Sequence, residues 1–187
     1  MTDLEALEAL LYERSVAFGD FVLASGQRST YYIDARKTTM SAAGLSLIGR
    51  LGIQAIRVAG WEPNVVGGLT MGADPVAYAV ARVSLESPPI MDAFSVRKAP
   101  KEHGTKRRIE GNFGPDTAVV VVEDVITSGG SALQAVEAVR AEGGRVLGVL
   151  AVVDREEGGR EAIQAAGIEV VSITTTTRIL RGTPQPS

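Results

Sequence analysis

The chain has 187 residues, 45% of them hydrophobic, which fits one domain with one buried core. It holds no cysteine, which excludes a disulfide framework and a thiolate zinc site, and no apolar run approaches the ~18–20 residues of a membrane span. With 19 basic and 22 acidic residues the formal charge is −3, so the molecule as a whole is no polyanion binder; neither nucleic acid nor membrane is expected as a partner, and a cytoplasmic location is.

Taken in chain order, Met1-Thr2-Asp3-Leu4-Glu5 is acidic where a secretory leader is basic and then apolar. Leu4, Leu7, Leu10, Leu11 and Phe18 recur near helical spacing, predicting a helix from about Asp3 to Phe18 with Thr2 or Asp3 as its cap. Phe21-Val22-Leu23 and Tyr31-Tyr32-Ile33 read as short strands around a turn at Ser25-Gly26-Gln27. A second helix is expected from about Ser41 to Ala59, with Leu45, Ile48, Leu51, Gly52 and Ile56 on one face.

Strand and helix then alternate. Val65-Val66 lead into Gly67-Gly68, and Pro75 to Ser84 reads as a helix. Ile90 to Val96 reads as a strand, followed by a long polar loop from Ala99 to Pro115. Ala118 to Val122 is a continuous β-branched run of the kind buried on both faces. Helices are expected over Ser131–Glu142 and Glu161–Ala166, and strands over Val146–Val153 and Ile168–Ile173. The alternation predicts an α/β fold, a parallel central sheet flanked by helices. No internal repeat or linker divides the chain, and Thr183–Ser187 is expected to fray.

The densest chemistry lies from Val119 to Ala132, where an apolar strand runs into Glu123 and Asp124. The small residues Thr127, Ser128, Gly129, Gly130 and Ser131 follow, and then a helix. Ligands of open α/β sheets bind at the carboxyl ends of strands, where glycine lets amides approach a phosphate and a helix N-terminus adds positive charge. Two carboxylates about a ribose-length away can accept hydrogen bonds from vicinal hydroxyls. A plain βα turn with acids capping a helix is the competing reading. The loop is neither Gly-x-x-x-x-Gly-Lys-Ser/Thr nor Gly-x-Gly-x-x-Gly, so nucleoside triphosphatase and dinucleotide readings lack a motif.

Charge is uneven. Arg97, Lys98, Lys101, Lys106, Arg107 and Arg108 stand against Glu102 alone, giving that segment +5 and leaving −8 for the rest; His103, the single histidine, is there too. A local positive field on an acidic body suits a small polyanion, although a solvated charged connection is the ordinary reading of such a run.

Together these segments resemble the type I phosphoribosyltransferases. Apolar strand, Glu123-Asp124, Val125-Ile126 and Thr127-x-Gly129-x-Ser131 match that family's phosphoribosyl-diphosphate motif. Arg97-Lys98-x-x-Lys101-x-His103-Gly104 resembles the mobile loop of the orotate phosphoribosyltransferases. Phe21-x-Leu23-x-Ser25-Gly26 with Ser29-x-Tyr31-Tyr32-x-Asp34 resembles their N-terminal hood, and Asp154-Arg155 their orotate-binding turn. The resemblance implies a single phosphoribosyltransferase domain, with the hood in about residues 1–40 and the core in about 41–180.

It further implies that residues 123–131, with Arg97, Lys98, Lys101 and His103, hold the phosphoribosyl diphosphate. Thr127 and Arg155 face orotate, Arg155 meeting its carboxylate, and Tyr32 and Ile33 occupy the hood positions beside the base. Thr70, Met71 and Gly72 form a diphosphate-cradling loop. The chain departs from many bacterial members at Ala24 and Met71, where they carry lysine. Lys101, His103 and Asp124 are the expected catalytic positions, Lys101 or His103 contacting and protonating the departing diphosphate. Mg²⁺ is the implied cofactor, held by substrate oxygens and water with no dedicated protein ligand. A homodimer with shared active sites is implied as well. The implied reaction is orotate plus 5-phosphoribosyl 1-diphosphate to orotidine 5′-monophosphate and diphosphate, in pyrimidine synthesis. A purine-base phosphoribosyltransferase and a non-catalytic metabolite sensor are the alternatives.

Overall fold

A computed structural model describes residues 1–22, 28–99 and 108–181. Residues 23–27, where a turn is expected and Ala24 lies, and Lys101, His103, Lys106 and Arg107 fall outside the described residues.

Helix α1 (Asp3–Ser15) starts in a capping box, the Thr2 hydroxyl accepting from the Glu5 amide and the Glu5 carboxylate from the Thr2 amide. It stops three residues short of Phe18, where its apolar spacing pointed. Val16 is extended instead, opening β1 (Val16–Val22), which pairs antiparallel with β2 (Arg28–Ile33) from Val16 opposite Ile33. This two-stranded ribbon stands apart from the main sheet. A short helix α2 (Arg36–Thr39), unforeseen in the sequence, leads to α3 (Ala42–Val58), capped by the Ser41 hydroxyl on the Gly44 amide at 3.1 Å.

The main sheet has the order β5-β4-β3-β6-β7-β8. Its strands are β3 (Val65–Leu69), β4 (Asp92–Val96), β5 (Ile109–Gly111), β6 (Ala118–Ile126), β7 (Arg145–Asp154) and β8 (Val170–Thr175). All neighbours are parallel except β4 and β5. The expected parallel central sheet is thus present, with one antiparallel strand added at its edge. Part of the expected long loop is an antiparallel edge strand, Ile109 lying opposite Val96.

Helices α4 (Ala73–Ser84), α5 (Gly130–Ala141) and α6 (Gly159–Ala165) connect the strands, and α7 (Thr176–Leu180) follows β8. The pleat of β6 divides the core: Val120 and Val122 pack with Leu7, Ile48, Val76 and Val80 on one face. Val119 and Val121 pack with Val136, Val139 and Ile163 on the other. Both faces are covered, which is why the run reads as unbroken valine.

From β3 the chain steps to β4 on one side, then returns to β6 on the other. The connections leaving the carboxyl ends of β3 and β6 therefore diverge and open a crevice at this switch point. The expected site residues of the β3 and β6 loops lie there.

Candidate active site

Strand β6 runs through the acid pair to Ile126, further than the apolar run alone indicated, because its ladder with β7 continues from Glu123–Ala151 to Ile126–Asp154. Thr127, Ser128 and Gly129 then turn the chain into α5. Gly129 adopts φ +81, and a Cβ there would stand 2.8 Å from the Gly159 carbonyl, so both backbone shape and space require glycine. No side chain caps α5. Its first amides are left to whatever fills the adjoining recess of about 80 Å³, lined by Glu123 and residues 125–132. The hydroxyls of Thr127, Ser128 and Ser131 line the same recess.

Glu123 is 6% exposed, and its Oε2 has no hydrogen-bond partner. Burial, then the neighbouring Asp124 charge, pushes its carboxyl up to about 9. It is therefore a neutral acid with one oxygen to spare. Asp124 is half-buried, one oxygen 2.9 Å from the Val125 amide. It lies against Gly72, where a Cβ would come within 2.5 Å of Oδ1, and this close approach joins the β3 and β6 loops.

On the β3 side, Thr70, Met71 and Gly72 form the step into α4, with a cis peptide between Thr70 and Met71. The Thr70 amide donates to the Val96 carbonyl at 2.8 Å. Asp74 accepts from the Thr70 hydroxyl at 2.6 Å and the Ser95 hydroxyl at 2.7 Å. Loop and strand end are thus one hydrogen-bonded unit, while the Met71 side chain is 60% exposed. Arg97 and Lys98 leave β4 beside it. The Arg97 amide donates to the Arg108 carbonyl at 2.8 Å, and its guanidinium lies 3.5 Å from Glu110, so the base of the basic loop is an antiparallel stem.

Asp154 ends β7 and Arg155 follows it. The Arg155 amide donates to the Ile126 carbonyl at 3.0 Å, which sets this turn beside Thr127. Arg155 is only 6% exposed, with its Nε and Nη2 lacking hydrogen-bond acceptors. Its Nη2 is 2.8 Å from a Glu157 oxygen, an ion-pair distance that falls outside hydrogen-bond direction. The turn is fixed by Arg160, which donates to the Asp154 carboxylate (2.7 Å), the Val170 carbonyl (2.8 Å) and the Ser172 hydroxyl (2.6 Å).

Among the expected site residues, Glu123 to Ser131, Thr70 to Gly72 and Arg155 share the carboxyl edge of the sheet. Tyr32 is 41% exposed and packs against Phe21, and Ile33 is buried. Tyr31 covers Arg155, the guanidinium carbon lying 5.5 Å from its ring centroid. The alternation of β2 carried that signal, since Tyr31 and Tyr32 must face opposite ways. Arg36 was also missed. Its charge is favoured first by Asp34, at 2.8 Å, and then by Tyr32 and Asp124, so a cation of α2 stands near the acid pair. No sequence motif marked it.

The acid pair does not make a metal cage. Among the described residues no three ligating side chains converge, and burial keeps Glu123 neutral. This donor set fits a cation carried in by substrate oxygens rather than a resident one.

A phosphoribosyl transferase domain model matches residues 39–179. Orotate phosphoribosyltransferase of Aquifex aeolicus is 46% identical over 96% of this chain and 99% of its own, and that of Mycobacterium avium 47% over 91% and 93%. The crystal structure of Mycobacterium tuberculosis H37Rv orotate phosphoribosyltransferase with 5-phospho-alpha-D-ribosyl 1-diphosphate is 40% identical. It superposes with a TM-score of 0.80, covering 95% of this chain and 99% of that one. An adenine phosphoribosyltransferase of Leishmania tarentolae, at 19% identity and TM-score 0.65, shares the fold. With a family model matching most of the chain and relatives 46% and 47% identical along nearly its whole length, this protein belongs to the phosphoribosyltransferase family, among the orotate phosphoribosyltransferases.

Proposed function

We propose that the chain transfers the 5-phosphoribosyl group of 5-phosphoribosyl 1-diphosphate to the ring nitrogen of orotate, releasing diphosphate and forming orotidine 5′-monophosphate for pyrimidine synthesis. The observation that carries this reading beyond the fold is Arg155. Its buried guanidinium has an Nε–Nη2 edge that makes no hydrogen bond, the shape that meets a carboxylate in a two-point contact. A purine base has no carboxylate to place there.

The 5-phosphate enters the recess before α5, held by the amides of residues 129–131 and the hydroxyls of Thr127, Ser128 and Ser131. Ribose then reaches back along β6, its hydroxyls meeting Glu123 and Asp124. Glu123, as a neutral acid, both donates and accepts there. The diphosphate lies across Thr70–Gly72, beside Arg97 and Lys98 at the end of β4. Lys101 and His103 of that loop contact the leaving diphosphate, either one supplying a proton. Mg²⁺ brought in with the substrate would supply the charge that offsets the leaving diphosphate, with no side chain of this chain needed as its dedicated ligand. Arg155 and Thr127 orient orotate, so that its nitrogen attacks the anomeric carbon from the face opposite the departing oxygen. No enzyme nucleophile is required.

The enzyme is also proposed to work in the cytoplasm as a homodimer with shared sites. Exposed Met71 and Tyr78, together with a groove between α3 and α4 lined by Leu45, Tyr78 and Val83, support an interface on that side. Among the described residues no helix is long and apolar enough to cross a membrane.

Arg155→Ala tests the assignment. The KM for orotate should rise by about 100-fold, in line with loss of a charge-assisted pair, while the KM for phosphoribosyl diphosphate stays near its original value. An unchanged orotate KM would remove Arg155 from the base site.

A further inference from the structure

Arg155 is in place for a carboxylate, yet its receiving edge is closed. Nε and Nη2 each lack a hydrogen bond and are shielded from solvent. Tyr31 covers the guanidinium at 5.5 Å, and the Glu157 carboxylate stands 2.8 Å from Nη2. An incoming anion therefore reaches that edge only after something moves, and Glu157 has both motive and freedom to move. It carries the charge that the incoming anion repels, and its side chain is 29% exposed against 5% for that of Arg155. It is also bound poorly, close to Nη2 but outside hydrogen-bond direction. A substrate carboxylate meeting Nε and Nη2 together makes the two hydrogen bonds that Glu157 does not. The turn underneath stays fixed, because Arg160 ties Asp154 to β8 and the Asp154 carboxylate accepts from the Glu156 amide at 2.8 Å. Glu157 can thus swing out without carrying the backbone of Arg155 with it.

We infer that Glu157 is a resident counter-ion of Arg155 which the carboxylate of the base substrate displaces, so that this side chain sets the affinity and selectivity for an anionic base. This rests on the assignment of orotate's carboxylate to Arg155. Before the base binds, Glu157 neutralises a buried cation whose outer edge otherwise makes no hydrogen bond. With orotate bound, the cation exchanges one carboxylate for another. A neutral base such as uracil provides no replacement and leaves the pair closed.

The test is steady-state kinetics and equilibrium binding of Glu157→Gln, Glu157→Asp and Arg155→Ala with orotate, uracil and phosphoribosyl diphosphate. Glu157→Gln should lower the KM and Kd for orotate on the order of fivefold, the scale of a partly exposed ion pair. It should leave the KM for phosphoribosyl diphosphate and the use of uracil unchanged. Glu157→Asp, which keeps the charge, should stay near the original enzyme. If Glu157→Gln leaves orotate binding unchanged or weakens it while Arg155→Ala abolishes it, the displacement is wrong and Glu157 merely orients the arginine. Equal gains for orotate and uracil would also overturn it, showing a general widening of the site. If Arg155→Ala leaves orotate binding intact, the carboxylate assignment itself has failed, and the counter-ion role falls with it.

Discussion

Glu123→Gln isolates a buried proton at the centre of the site. The carboxyl is 6% exposed and pushed up to about 9, by burial first and the Asp124 charge second. In the unfolded chain it titrates near 4.5. A folded-state value above the unfolded one means that the native state holds the extra proton throughout this window. Stability is therefore greatest below about 4.5 and declines as pH rises toward 9. One pH unit corresponds to 1.36 kcal/mol, so between pH 6 and 8 the parent loses about 3 kcal/mol relative to a neutral isostere. That slope is the same wherever the native value lies above 8 and the unfolded value below 6. For a chain of 187 residues the gap in Tm between variant and parent should widen by roughly 5–12 °C over that range. Thermal unfolding of both proteins without ligands at pH 6, 7 and 8 measures it. A gap that stays constant, or narrows with pH, would refute the neutral carboxyl.

Gly72→Ala puts a methyl 2.5 Å from Asp124 Oδ1, and displacement of that carboxylate should cut kcat/KM for phosphoribosyl diphosphate by about 100-fold with little change in Tm. Gly129→Ala meets both a left-handed φ of +81 and the Gly159 carbonyl, so urea unfolding should show a loss of at least about 1–2 kcal/mol. Arg160→Met strips Asp154, 4% exposed, of its ion-pair partner. Destabilisation of about 3 kcal/mol is expected by the same assay, with the orotate KM raised more than that for phosphoribosyl diphosphate. Removal of the divalent cation with a chelator should abolish turnover, and added Mg²⁺ should restore it.

The sheet was legible where burial leaves one reading. Val119 to Val122 is apolar at every position because β6 is covered on both faces, and Gly129 marks a turn that other residues adopt only under strain. Where pairing decides, the sequence was mute. Ile109–Gly111 is three residues among charges, and only the Phe94–Val96 ladder makes it a strand. Val16 to Phe18 keep a helical spacing, yet pairing with Tyr31 to Ile33 overrides it. The acid pair reads as the end of a strand until the partner ladder carries β6 to Ile126.

The site follows the same division. The phosphate loop and Arg155 were visible as local motifs with their own chemistry. Tyr31 was recoverable from the pleat, whereas Arg36 and Glu157 owe their places to α2 and to the turn after β7. Neither contact has a spacing that a sequence could show.

The most direct measurement is the loss of orotate absorbance when the protein is mixed with orotate, phosphoribosyl diphosphate and Mg²⁺, with adenine and hypoxanthine tested in parallel. Consumption of orotate alone, stopped by a chelator, is the predicted result. Turnover of a purine with orotate untouched would keep the ribose-phosphate site and contradict the base assignment, and no turnover of any base would contradict the catalytic reading.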